Sequence, residues 1–123
     1  MRGIAISVLL LLVAFAIPST QGAKYCKCSV IDAHDSGVVL HTFPKYRVCG
    51  WLCGCKRALR ECVTDCQRRV KDWYCYGNCN DRPGVQIRGR YEVGNNRRPT
   101  RCGTANLVDI RVCGSTNGCT AGK

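Results

Sequence analysis

The spacing of apolar residues changes character along this chain. From Ile4 to Ile17 every residue is apolar except Ser7, with no alternation. Further on, Tyr25-Cys26-Lys27-Cys28-Ser29-Val30 and Val38-Val39-Leu40-His41-Thr42-Phe43 read as short strands, and residues 32–37 between them carry turn chemistry. A β-hairpin is expected there. Leu52, Cys55, Leu59, Cys62, Cys66, Val70 and Trp73 then recur at steps of three and four, which places them on one face of an α-helix. Gly50 and Gly54 weaken its beginning, so the helix is expected over 56–74. Asn78, Asn80-Asp81 and Pro83-Gly84 break it. Beyond them Val85, Ile87, Gly89, Tyr91 and Val93 alternate with Gln86, Arg88, Arg90 and Glu92, the pattern of a half-buried strand. Gly94-Asn95-Asn96 reads as a turn. Val108, Ile110 and Val112 alternate with Asp109 and Arg111, which predicts another strand over 108–112.

The first apolar run is too short to span a bilayer, which takes about 20 residues. It follows the positive charge of Arg2 and precedes Pro18, with small side chains at Thr20 and Gly22. Those features predict a secretory signal peptide over residues 1–22, cleaved after Gly22. The remainder, 23–123, is expected to be a single cysteine-rich domain. No second apolar run of membrane length follows, so no transmembrane span is expected.

Export changes the reading of the cysteines. All twelve lie beyond the leader: Cys26, Cys28, Cys49, Cys53, Cys55, Cys62, Cys66, Cys75, Cys79, Cys102, Cys113 and Cys119. Zinc sites usually carry Cys-x2-Cys pairs, and this chain has none. An even number of thiols in an oxidising compartment predicts six disulfides and no metal. The staples have a physical purpose. Residues 23–123 hold one Phe (Phe43), two Trp and five Tyr, a thin supply for a core, and each disulfide contributes about 2–4 kcal/mol through the unfolded chain. Cys62-x3-Cys66 puts two sulfurs on one helix face, and Cys-x-Cys puts two on one strand face. Bridging such pairs would lay the helix flat on a strand. Cys26-x-Cys28 fits that role. Cys53-x-Cys55 is a rival, and a helical hairpin joining Cys49/Cys53 to Cys62/Cys66 is a third arrangement. The expected fold is therefore α+β: one amphipathic helix stapled to short antiparallel strands.

Without Arg2 there remain 18 basic residues against 8 acidic ones, a net charge of +10. Such a protein is drawn to anionic partners: bacterial membranes or cell walls, anionic lipids, sulfated glycans or acidic proteins. Nucleic acid has the right charge but the wrong compartment. Turning ~100° per residue gathers Lys56, Arg57, Arg60, Arg68 and Lys71 in one arc of the helix, with Glu61, Asp65 and Asp72 in the next. Arg57–Glu61, Asp65–Arg69 and Arg68–Asp72 have the i,i+4 spacing of ion pairs. A second basic cluster is expected from Arg88, Arg90, Arg97, Arg98 and Arg101. Both are candidate anion-binding surfaces. A solvated charged face is the plain alternative for the helix.

A signal peptide, strong positive charge, and Cys-x-Cys combined with helical Cys-x3-Cys resemble the cysteine-rich host-defence peptides of invertebrates, particularly the larger bivalve proteins of the myticusin kind. The resemblance lies in the architecture of 23–123. It implies killing of bacteria, with Gram-positive cells the more sensitive. Length and cysteine number exceed those of ordinary defensins, and venom toxins share the same architecture. A toxin or secreted modulator of a channel or receptor is therefore the alternative. A protease inhibitor is a third possibility, and Arg97-Arg98-Pro99 is a poor bait because Pro follows Arg. Enzymatic chemistry has little to build on. The histidines are His34 and His41, and no nucleophile elbow or phosphate loop occurs. His34 lies between Asp32 and Asp35 in a turn, where a solvated imidazole is expected rather than a catalytic base. No cofactor is expected. No Asn-x-Ser/Thr sequon occurs, and the terminal Gly122-Lys123 would permit trimming to a C-terminal amide. Trp51, Trp73, Tyr74 and Tyr76 are candidate interfacial anchors, with Trp73 expected in the core.

Overall fold

The computed structural model describes residues 23–50, 53–115 and 118–119. The leader expected over 1–22, and Trp51, lie outside the described residues. The chain runs through three strands, β1 (Lys24–Asp32), β2 (Val39–Thr42) and β3 (Tyr46–Cys49). One helix, α1 (Cys55–Cys75), follows, and then β4 (Gln86–Gly94), β5 (Gly103–Asn106) and β6 (Arg111–Val112). It is an α+β fold, a helix laid across one face of an antiparallel sheet and stapled by disulfides.

β1 and β4 form the centre of the sheet, paired from Tyr25↔Gly94 to Asp32↔Ile87 without a register shift. β2 and β3 share the other edge of β1, one at each end, while β5 and β6 share the far edge of β4. Successive side chains on a strand point to opposite faces, and here the alternation decides which sulfurs meet the helix. Cys26, Cys28 and Val30 of β1 are buried, and so are Ile87, Gly89 and Val93 of β4. The helix presents Ala58, Cys62, Cys66, Val70 and Tyr74 to them. Cys26 joins Cys62 and Cys28 joins Cys66, each with Cα atoms 5.5 Å apart. Of the three arrangements open from spacing, the strand-to-helix staple with Cys26-x-Cys28 is the one formed. Cys53 pairs instead with Cys49, and Cys55 with Cys102. Cys75–Cys119 and Cys79–Cys113 complete the set of six, leaving no free thiol.

The bridges divide the core. Cys26, Cys62, Ala58 and Val93 form one cluster near the start of the helix. Cys28, Cys66, Val30, Val70, Tyr74, Ile87 and Leu107 belong to the larger one towards its end. Sulfur thus fills volume that larger side chains would occupy in a protein richer in them.

Local chemistry sets the helix ends. Gly54 is the N-cap, and its carbonyl accepts from the Ala58 N–H at 3.1 Å. At the other end Gly77 takes φ +92°, its N–H donating to the Tyr74 carbonyl, and the Asn78 side chain donates to the Trp73 carbonyl at 2.8 Å. Gly77, rather than the later Asn and Pro residues, closes the helix, because glycine reaches this left-handed region without strain.

Two expectations are corrected. The strand predicted over 108–112 is reduced to β6 at Arg111–Val112. The edge of β4 is first taken by β5, which pairs Gly103–Asn106 with 90–93. The chain then buries Leu107 and leaves Val108 81% exposed before pairing resumes. β3, which short-range alternation does not reveal, forms because Tyr46 and Val48 pack on the cluster around Cys26 and Cys62.

Candidate anion-binding surface

The buried stripe of α1 fixes where its charges point. With that stripe locked to the sheet at Cys62 and Cys66, Lys56, Arg57, Arg60 and Arg68 are exposed on the outward side and Lys71 is half-buried. All three i,i+4 pairs form: Arg57–Glu61 at 3.2 Å, Arg69–Asp65 at 3.1 Å and Arg68–Asp72 at 4.0 Å. Arg68 also donates to Asp65 across one turn. The three acids are thereby committed to Arg57, Arg68 and Arg69. Lys56, Arg60 and Lys71 have no ion pair among the described residues, so the helix face keeps its positive charge.

Beside this face runs an open groove of about 530 Å³ between α1 and β3. Tyr46 and Val48 form one wall, and Arg60, Thr64 and Arg68 the other. Tyr46 ties the walls together. Its hydroxyl donates to Asp65, and its ring lies under the Arg69 guanidinium, 4.4 Å from ring centre to the guanidinium carbon. Burial and the hydrogen bond to Asp65 push the Tyr46 hydroxyl well above its ordinary value. Burial opposes ionisation of Asp65, yet the Tyr46 hydrogen bond and the Arg68 and Arg69 guanidiniums outweigh it and hold the carboxyl below its usual range. Spacing marks Arg69 only as the partner of Asp65; Tyr46 and its contact with Arg69 have no sequence signal, since nothing local marks a contact between β3 and the helix.

Arg88 and Arg90 of the second basic cluster lie on the other side of the sheet. Alternation along β4 sends Arg88 and Arg90 away from the helix. Arg88 is half-buried, its Nε donating to the Leu107 carbonyl at 2.7 Å. Arg90 borders a shallow depression with Lys27, Ser29 and Glu92, of which Lys27 and Glu92 pair at 4.0 Å. Arg97, Arg98 and Arg101 are exposed in the turn joining β4 to β5, which begins beyond Gly94, four residues or roughly 13 Å along the strand from Arg90. The fold keeps Arg88 and Arg90 apart from the helix group, while the Cys55–Cys102 bridge brings Arg101 near Lys56.

The aromatic candidates separate. Tyr74 is buried, its hydroxyl donating to the Val112 carbonyl at 2.6 Å. Trp73 is half-buried against the larger core cluster and stacks on His41 at 5.7 Å. Tyr76 is 88% exposed. His34 sits in an exposed turn whose N–H groups at 34 and 35 donate to Asp32, while its Nε2 contacts Gln86 at 2.6 Å.

No protein family matches this chain, and neither a curated protein nor a solved structure resembles it. Among the described residues, no helix is long and apolar enough to cross a membrane.

Proposed function

We propose that this is a secreted, cationic host-defence protein that adsorbs to anionic microbial surfaces, either membrane or cell wall. The observation that carries the reading is the row of unpaired cations Lys56, Arg60 and Lys71 on a helix face held rigid by two disulfides. The resemblance to invertebrate cysteine-rich antimicrobial proteins points the same way, and disulfide density suits export. Catalysis has no part in this reading.

The packing limits the mode of action. An amphipathic helix that enters a bilayer must present its apolar side. Here that side carries Cys62 and Cys66, both bridged to β1. Adsorption through charge therefore replaces helix insertion, with Tyr76 as an exposed aromatic contact.

The test is growth inhibition of Gram-positive and Gram-negative bacteria by oxidised 23–123 at low and physiological salt. Micromolar killing that weakens with salt is expected. Neutralising Lys56, Arg60 and Lys71, or separately Arg97, Arg98 and Arg101, should weaken it further. Absence of killing at both salt concentrations overturns the proposal.

The groove beside Tyr46 favours a second reading, a toxin-like modulator of a channel or receptor that acts through one defined site. That reading requires saturable nanomolar activity abolished by a single change such as Arg60→Ala, rather than a graded loss with charge.

A further inference from the structure

Unpaired cations lie both on the helix and on the far side of the sheet. On the helix side are Lys56, Arg60 and Lys71. The other side is defined by β4. Val93 packs with Ala58 and Cys62 under the helix, so its neighbour Gly94 faces away from the helix. A Cβ at Gly94 would collide with the Arg98 carbonyl and with Pro99, so the part of the turn carrying Arg97 and Arg98 folds over this far side of the sheet, while Arg101, next to the Cys102 bridged to Cys55, stays at the rim near Lys56. Lys45 holds the folded part in place. Its ammonium lies 5.2 Å from the centre of the Tyr25 ring and donates to Asn96 at 3.1 Å. Tyr25 pairs with Gly94 across the strands and shares its face. Arg90 lies on the same side, and neither it nor the turn arginines has an ion pair among the described residues.

A helix is about 10–12 Å across with its side chains, and the sheet adds further thickness. Arg60 and Lys71 on the helix are thus separated from Arg90 on the far face of β4 by more than the Debye length of about 8 Å at physiological ionic strength. Charge occupied on one side leaves the other free to attract a second surface.

We infer that the protein bridges two anionic surfaces, one on each face, and so agglutinates the particles it binds. This rests on the proposed adsorption to anionic surfaces and goes one step beyond it.

The experiment uses unilamellar vesicles of phosphatidylglycerol and phosphatidylcholine. Bound protein is measured by sedimentation, and particle size by light scattering. The native protein should bind and raise the mean size several-fold. Clustering should pass through a maximum and reverse when excess protein coats every vesicle, a signature that needs no mutant. R60Q/K71Q and R90Q/R97Q/R98Q remove one face each; both should still bind but lose clustering at matched bound protein. Native protein that binds without clustering overturns the bridge and leaves adsorption standing. Failure to bind overturns both. Clustering retained by either variant also overturns it, since a dimer showing the same face twice would behave so.

Discussion

The carbonyl oxygen of Arg98 occupies the space that a side chain at Gly94 would need. The same turn is closed by hydrogen bonds from the Asn95 N–H to the Arg98 carbonyl at 3.0 Å and from the Arg98 N–H to the Asn95 side chain at 2.7 Å. Backbone cannot give way as a flexible side chain can. Gly94→Ala should displace the 95–101 turn and cost about 1–3 kcal/mol. Thermal unfolding measures the loss, and weaker binding to anionic vesicles would show that the turn arginines had moved.

Gly89 makes a comparable contact beneath the helix. A Cβ there would lie 2.5 Å from Leu107 Cδ1 and 3.0 Å from Val70 Cγ2. Gly89→Ala should destabilise the protein, and Gly89→Val by more, as the helix is lifted from β4. Denaturant midpoints should fall in that order. A midpoint unchanged in Gly89→Val would show that the helix does not rest on this strand.

The bridge from Cys28 to Cys66 encloses 38 residues of sequence. Loops of this length contribute about 4 kcal/mol through the unfolded chain. Replacing both cysteines with Ala should lower unfolding stability by about that amount and quicken amide exchange through the second half of α1. Exchange that stayed as slow as in the native protein would mean that packing alone holds the helix.

Tyr46 and Asp65 give the fold a dependence on pH at both extremes. The depressed Asp65 carboxyl stabilises the fold above its unfolded value, and that contribution is lost as pH falls through its folded value. The raised Tyr46 hydroxyl stabilises below about pH 10, the free tyrosine value, and this is lost as pH rises towards its folded value. Tyr46→Phe removes the hydrogen bond at about 1 kcal/mol near neutral pH. The carboxyl of Asp65, followed by NMR, should then titrate at higher pH, and the alkaline loss of stability should diminish.

Removing charge where no partner exists should cost little. Arg60→Gln should leave the melting midpoint nearly unchanged, because exposed substitutions away from such features usually stay within about 0.5 kcal/mol. Vesicle affinity should fall and its salt dependence flatten. A large drop in stability would reveal a structural role for Arg60.

Periodicity alone was enough for α1 and for β4, because each buries one face and so repeats apolar residues at 3.6 or 2, whereas the β1–β2 hairpin was marked by strand-forming residues on either side of a turn, β2 itself burying no face. The three ion pairs on the helix were equally accessible, since i,i+4 spacing is a local property. Spacing also narrowed the cysteines: Cys26-x-Cys28 and Cys62-x3-Cys66 each place two sulfurs on one face. Their pairing required the tertiary fold, because roughly ten thousand pairings of twelve thiols satisfy composition equally well. Long-range contacts account for what local pattern missed. β3 exists through Tyr46 and Val48 on a distant cluster, and the 108–112 strand yields to β5 because Leu107 fills the space over Gly89. The two basic groups show the same division. Composition requires an excess of positive charge, but its separation onto opposite sides follows from which face of β4 the helix covers and from the turn that folds over Gly94.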